Sequence, residues 1–534
     1  MATNGLSLDA NSLATAVDLN SLQLGKGVIS ASVGSADNRA GAVLSGAGDV
    51  VDSSLTVSDN SLLASAAENN ATNSMSITAN SLVNASGHEN AEAGMLDYGV
   101  GAAADYALAN TQEIRGGYQL PVAVKASAYG DFDATAGNGA VRSALEVTGN
   151  SQTASALGNG AANSLTIAAT ALGSEEDRAP GSALSSTQAA YTSVDAVSDM
   201  RLGATTEAVD SSLLLSGNSN VARARMNDAT NSIAVDAVSA GSLSGEPAAA
   251  LADVGYASQV MGDHVLASNQ IADGSVSATA VTNGQSVDPA VSFVRSSFEA
   301  SGNETLAEAV ANNAANNLTL TSAVQGGASA GLLNQQSNYA AVGAQATSTY
   351  GIGAHGSSDA SSLVDGNTTS AIAHGNMAAN TLTVSGVAED DCTPDLASIT
   401  TGALNSATAP AILSNVQMNA GGVSAYAMSP TVSVSYGGVG VSDSRLGVTG
   451  NSVSAAAYGN SATNMVTLAS LGSLPASGIS SVQTNSGAVT AQVTNAAYTV
   501  SPTSLSASRI DLSGNSISAS AVGNAATSKV TVSR

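Results

Sequence analysis

The chain has 534 residues, of which 10% are charged and 3% aromatic, with no Trp and a formal net charge of −26. So few large side chains exclude a conventional bulky core, while low charge and 43% hydrophobic residues argue against charge-driven disorder. The acidic balance argues against nucleic acid and anionic membrane as partners, and the lone Cys392 rules out an intramolecular disulfide or a cysteine metal set.

In chain order, residues 2–13 (ATNGLSLDANSL) run parallel to residues 71–82 (ATNSMSITANSL), so the chain opens in the second half of a repeat. No basic segment with a hydrophobic stretch follows Met1, and no apolar run is long enough to span a bilayer. Complete copies follow. Each holds two turn-like pairs, mostly Gly-Asn, with asparagines nine residues apart: Asn60 and Asn69, Asn150 and Asn159, Asn218 and Asn227, Asn303 and Asn312, Asn367 and Asn376, Asn451 and Asn460, Asn515 and Asn524. Apolar and polar residues alternate around them, as in Ile517, Ala519 and Ala521 against Ser516, Ser518 and Ser520. Period-two alternation broken by Gly-Asn predicts short strands joined by tight turns at both pairs.

An Ala-(Ala/Thr)-Asn step after each second pair serves as a ruler, with marks at Asn4, Asn73, Asn163, Asn231, Asn316, Asn380, Asn464 and Ser528. The intervals are 69, 90, 68, 85, 64, 84 and 64 residues, short and long in strict alternation. Their difference of about 21 matches one coil of a narrow β-solenoid, so short intervals are read as three coils and long ones as four. About 25 such coils at about 4.8 Å predict a body roughly 120 Å long. The expected fold is all-β: one elongated solenoid domain over residues 1–534, with a small-residue interior and Asn, Gln and Ser ladders.

Between the ruler motifs a second signature recurs. Gln483, Asn485, Val489 and Ala491 match the sets starting at Gln417 and Gln336, and Gln188 keeps part of the pattern. The long fourth interval holds two partial copies, at Gln259 and Gln270, as an inserted coil predicts; Gln23 and Gln112 fit poorly. Pro180, Pro247, Pro394 and Pro475 mark irregular segments expected to be surface loops. Stacked amide side chains in a solenoid hydrogen-bond along the axis, and this structural role outweighs glycan contact for the repeated Asn and Gln.

Chemistry-bearing constellations are missing. His88, His264, His355 and His374 fall in different repeats without metal-ligand spacing, and His374 occupies a variable position. Glu175-Glu176-Asp177 and Glu389-Asp390-Asp391 read as solvated loop tips, since the calcium-binding β-roll pattern is absent. The sequence offers no catalytic, metal or cofactor-binding residue.

The regular Gln and Asn offsets resemble curlin-type amyloid fibre subunits. The phrase Ala519-x-Ala521-x-Gly523-Asn524-x-Ala526 is similar in style to holdfast-anchor and other β-strand-repeat proteins of alphaproteobacteria. The curlin pairing of Gln and Asn in every repeat is not kept, and this chain is far longer. The resemblance implies an extracellular structural or adhesive fibre. The leading expectation is therefore a non-enzymatic subunit of a surface filament or adhesin whose main partner is itself. Head-to-tail strand pairing would bring Asn4 near Ser528 of a neighbour; a cell-surface glycan or matrix is a possible second partner. A phage fibre, located in the virion, is the runner-up, and a polysaccharide-active β-helix enzyme the third reading.

Overall fold

A computed structural model describes residues 2–533, except 84–90, 96–99, 116–121, 174–178, 204–206, 242–246, 253–257, 288–291, 327, 389–395, 402–404, 429 and 471–475. The described residues are almost entirely strand, with no helix. Both acidic loop tips, His88, Cys392, Pro394 and Pro475 lie outside them.

The ruler marks are hydrogen-bonded neighbours. An eight-stranded parallel sheet of long strands, among them Ser61–Leu82, Ser151–Leu172 and Ser516–Ser533, sets Asn4 beside Asn73, Asn73 beside Asn163, and so on to Asn464 beside Ser528. After each long strand the chain enters a twenty-stranded, parallel broad sheet. It then passes through a seven-stranded parallel sheet of five-residue strands such as Ser54–Ser58, and returns to the long sheet one strand further on. One ruler interval thus advances every sheet by one layer.

This corrects the coil size: strand neighbours are 64 to 90 residues apart, not about 21. Seven layers at about 4.8 Å give roughly 34 Å instead of 120 Å. The extra residues of long intervals form hairpins instead of coils: Ala91–Met95 with Val100–Ala104, Ala248–Ala252 with Ser258–Gly262, and Ala397–Thr401 with Asn405–Ala409. The hairpins join edge to edge into a six-stranded antiparallel flanking sheet. A hairpin is two strands wide and fills the height of two layers, so it fits only in every second interval. That geometry accounts for the alternation. Gln259 lies in such a hairpin and is no ladder member. Pro180 is buried just ahead of the broad-sheet strand Ser182–Gly203, not in a surface loop, whereas Pro247 is exposed.

The interior is graded in side-chain size. Where the first halves of the long strands face the broad sheet, the core is built from Ala: Ala154, Ala156, Ala222 and Ala224 meet Ala126, Ala128, Ala196 and Ala278. The small-residue expectation holds there, because close walls leave no room for more. Beyond it, Leu165, Ile167, Leu320 and Leu332 widen the body on one side. Phe132, Phe293, Phe298 and Tyr350 widen it beneath the five-residue strands. The flanking sheet covers Ala107, Ala183, Val265, Leu333 and Ile412 on the outside of the broad sheet, which explains strands apolar on both faces.

Candidate functional site: polar ladders and corners

Of the two Gly-Asn pairs, only the first is a turn. Gly149, Gly217, Gly302, Gly366, Gly450 and Gly514 have φ between 62° and 67°, and Asp59 takes the equivalent place at 56°. Here the chain leaves a five-residue strand for a long one. The following asparagine points inward. Asn150, for example, gives its backbone N–H and its Nδ2 to Asn218 Oδ1, each at 3.0 Å, and its Nδ2 also to Val57 O at 2.9 Å. The bonds repeat from Asn60 through Asn218, Asn303, Asn367 and Asn451 to Asn515.

The second pair lies within unbroken strands, contrary to expectation. In Ser151–Leu172 the inward residues are Gln152, Ala154 and Ala156, then Ala161, Asn163 and Leu165, with Gly158 and Asn159 both buried between them. The inward parity flips here, which kinks the strand without a reverse turn. The approach is close at the glycines here: a Cβ on Gly375 would stand 2.5 Å from Gly459 O, whereas Glu68, Met226 and Ala311 occupy the same place in other layers. The asparagines at the flip form a second ladder, Asn69 to Asn159, Asn227, Asn312, Asn376, Asn460 and Asn524, at 2.7–2.8 Å. The ruler asparagines make a third, from Asn4 through Asn73, Asn163, Asn231, Asn316 and Asn380 to Asn464, ending on Ser528 at 3.4 Å.

All three Asn ladders donate toward the C-terminal layer. The glutamine ladder runs the other way: Gln483 donates to Gln417, and the chain continues through Gln336, Gln270, Gln188 and Gln112 to Gln23, at 2.6–2.8 Å. Gln23 and Gln112 are therefore full members, which corrects their reading as misfits. The Gln and second Asn ladders clasp each other. Gln188 Nε2 reaches Asp228 O, the residue after Asn227, while Asn159 Nδ2 reaches Ala189 O, the residue after Gln188. Each of these amides thus bridges layers and facing walls, which satisfies its buried donor hydrogens.

One feature was missed from sequence. A second corner, leading into the five-residue strands, uses non-glycine residues in left-handed conformation: Asp52, Arg142, Asp210, Arg295, Asp359, Asp443 and Ala507, with φ of 49° to 53°. The next residue is mostly serine, and its hydroxyl accepts from the backbone of the preceding layer, as Ser143 N to Ser211 Oγ at 3.0 Å. The signal was present as an Asp-Ser or Arg-Ser pair seven residues before five of the seven turns, at Asp52, Arg142, Asp210, Arg295 and Asp443, with Asp359-Ala360 and Ala507-Ser508 at the other two. These corners line an open groove of about 1140 Å³ along the stack. In it Arg142 clamps Asp52 and Arg295 clamps Asp210 through both carboxylate oxygens. Those hydrogen bonds hold the Asp52 and Asp210 carboxyls below their ordinary range.

The described histidines are scattered. His264 is fully buried against Ser182 Oγ at 2.9 Å, and desolvation pushes its pKa down to about 4. His374 stacks flat on Tyr458 at 4.8 Å in the next layer, and burial lowers its pKa too. Among the described residues no group of three or more His, Cys, Asp or Glu is placed to hold a metal ion. Matching the chain against family models, curated proteins and solved structures finds nothing similar.

Proposed function

We propose that this chain is a β-solenoid that serves as the structural subunit of an extracellular filament or surface adhesin, polymerising head to tail. The observation that carries the reading is the one-way polarity of its ladders. Asn515 and Asn524 at one end of the stack are the donor ends of their ladders, whereas Asn60 and Asn69 at the other end bring acceptor oxygens that no amide among the described residues fills. The Gln ladder is complementary in the reverse sense, with Gln483 Oε1 at one end and Gln23 Nε2 at the other. Two copies stacked head to tail continue the first and second Asn ladders and the Gln ladder; two stacked head to head oppose donor to donor.

Charge favours the same pairing. Residues 1–70 hold seven acidic and two basic residues, net −5, while residues 477–534 hold one acidic and three basic residues, net +2 in a chain of −26. Apolar side chains covered in inner layers have exposed counterparts at the outer strands: Leu512 and Val532 are exposed where Val448 and Leu468, one layer in, are buried. Main-chain pairing between such edges is directional and heterologous, so it propagates an open filament. Electron microscopy of the purified chain at rising concentration and low ionic strength tests this. Polar, unbranched filaments are expected; particles that stay monomeric at high concentration overturn it.

A further inference from the structure

The alternation of the long strands breaks a second time near their ends. In Ser61–Leu82 both Ala79 and Leu82 are buried, with Asn80 exposed and Ser81 half-buried between them. At this break an open trough of about 670 Å³ runs along the stack across five neighbouring strands, separate from the corner groove. Its floor is a column of small residues, Ala10, Ala79, Ala169, Ala237 and Ser322. One wall carries Asp9, Thr78, Asp236 and Thr321; the other carries Asn11, Asn80, Thr170 and Val238. A bulge between Thr321 and Val324 leaves Ser322 2% exposed, and its Oγ has no hydrogen-bond partner among the described residues.

Resting on the adhesin reading, we propose that this trough is the adhesive site and takes a linear, neutral, β-linked glycan lying along the stack. An extended peptide in the trough would cross strands whose backbone groups are already paired layer to layer, so it gains no main-chain hydrogen bonds. Recognition falls to side chains, and those present are hydroxyls, amides, carboxylates and methyl groups. They match a sugar chain. The polar groups meet its hydroxyls, while the alanine methyls and Val238, 54% exposed, meet the apolar C–H faces of its rings. The rungs repeat about every 4.8 Å, close to the advance of a β-linked chain per ring, whereas an extended peptide advances about 3.3 Å per residue and falls out of step. Charge narrows the class further. Asp9 and Asp236 are the only charged residues lining the trough among those described, and the whole chain carries −26. An acidic polysaccharide is repelled, whereas a neutral one offers hydroxyl donors to both carboxylates. Ser322 Oγ adds a hydroxyl that the fold itself leaves unused.

Isothermal titration calorimetry of the full chain reads the site, with cellohexaose, the hexamer of N-acetylglucosamine, cellobiose and a hexamer of galacturonic acid as probes. A neutral hexasaccharide is expected to bind, the disaccharide more weakly because it spans fewer rungs, and the acidic hexamer not at all. Thr170→Trp, exposed in the middle of the trough, abolishes binding, while Ala162→Trp, exposed on the same strand outside it, leaves binding unchanged. Asp236→Ala, also exposed, weakens binding about tenfold through loss of a charge-assisted hydrogen bond. If neither neutral hexamer binds the parent chain, or if Thr170→Trp binds as the parent does, the trough is overturned. An oligolysine that binds there in place of the sugars assigns the trough to a basic peptide and overturns the glycan. Electron microscopy of the same samples scores the filament separately: sugar binding lost in Thr170→Trp by a chain that forms no filaments keeps the trough and overturns the filament, and filaments that bind no sugar do the reverse.

Discussion

Replacing Asn312 by Leu removes one member from the middle of the second Asn ladder while keeping the branched side-chain shape, with somewhat more volume. Asn312 accepts from Asn227 Nδ2 at 2.8 Å, donates to Asn376 Oδ1 at 2.8 Å, and donates to Ser337 O at 3.0 Å. All three amides are fully buried, so the substitution strands one N–H and two carbonyl-type oxygens away from water. At about 1–3 kcal/mol per orphaned group, with incomplete additivity, the loss is about 3–5 kcal/mol. Asn524→Leu, at the end of the same ladder, loses one bond from Asn460 and a long 3.4 Å contact to Gln483 O beside solvent, and costs about 1 kcal/mol. Because stacked repeats open locally, the assay combines urea unfolding with amide hydrogen exchange resolved to the strand Glu304–Gly326. Equal losses for the two variants would refute the idea that the ladders hold the interior together.

The turn, the core and the buried histidine give further tests. Gly217→Asp leaves stability nearly unchanged by calorimetry, since Asp59 already holds that conformation, while Gly217→Val costs about 1–3 kcal/mol from left-handed strain. Ala309→Leu, deep in the alanine layer, destabilises by about 1–3 kcal/mol or more through overpacking, read as a lower urea midpoint. His264 has a folded pKa of about 4 against an ordinary 6.5, so the folded state resists protonation. Its contribution is intact above pH 6.5 and is lost as pH falls toward 4, a change of about 3 kcal/mol. His264→Ala, matching Ala330 and Ala411 in the following layers, flattens that part of the pH–stability curve.

Much of the architecture was legible in the sequence because equivalent residues of a parallel stack face the same surroundings in every layer. The ruler asparagines marked the register correctly, and the alanine-rich alternation announced a thin interior. The coil size was misread through a numerical coincidence: the flanking hairpins add about 21 residues, and 21 also divides the 64-residue interval by three. Sequence periodicity cannot distinguish an inserted coil from an inserted hairpin. Antiparallel pairing between hairpins of distant intervals settles it, as Ala103 with Ala249 and Val260 with Ile399. Gln23 and Gln112 escaped because their flanking residues diverge while the amide is kept. The Asp52-to-Ala507 corners escaped because their residue type varies among Asp, Arg and Ala, and Arg and Ala rarely take left-handed φ; the serine that mostly follows caps the adjoining layer.

The central claim is a polar stack in which one ruler interval makes one layer and whole chains continue the stack. Its most direct test is the subunit repeat along the filament axis, measured by electron cryo-microscopy of assembled protein. Seven layers at about 4.8 Å predict a repeat of roughly 34 Å, with strands perpendicular to the axis and all subunits pointing one way. A repeat near 120 Å, subunits of alternating polarity, or strands running along the axis would contradict it.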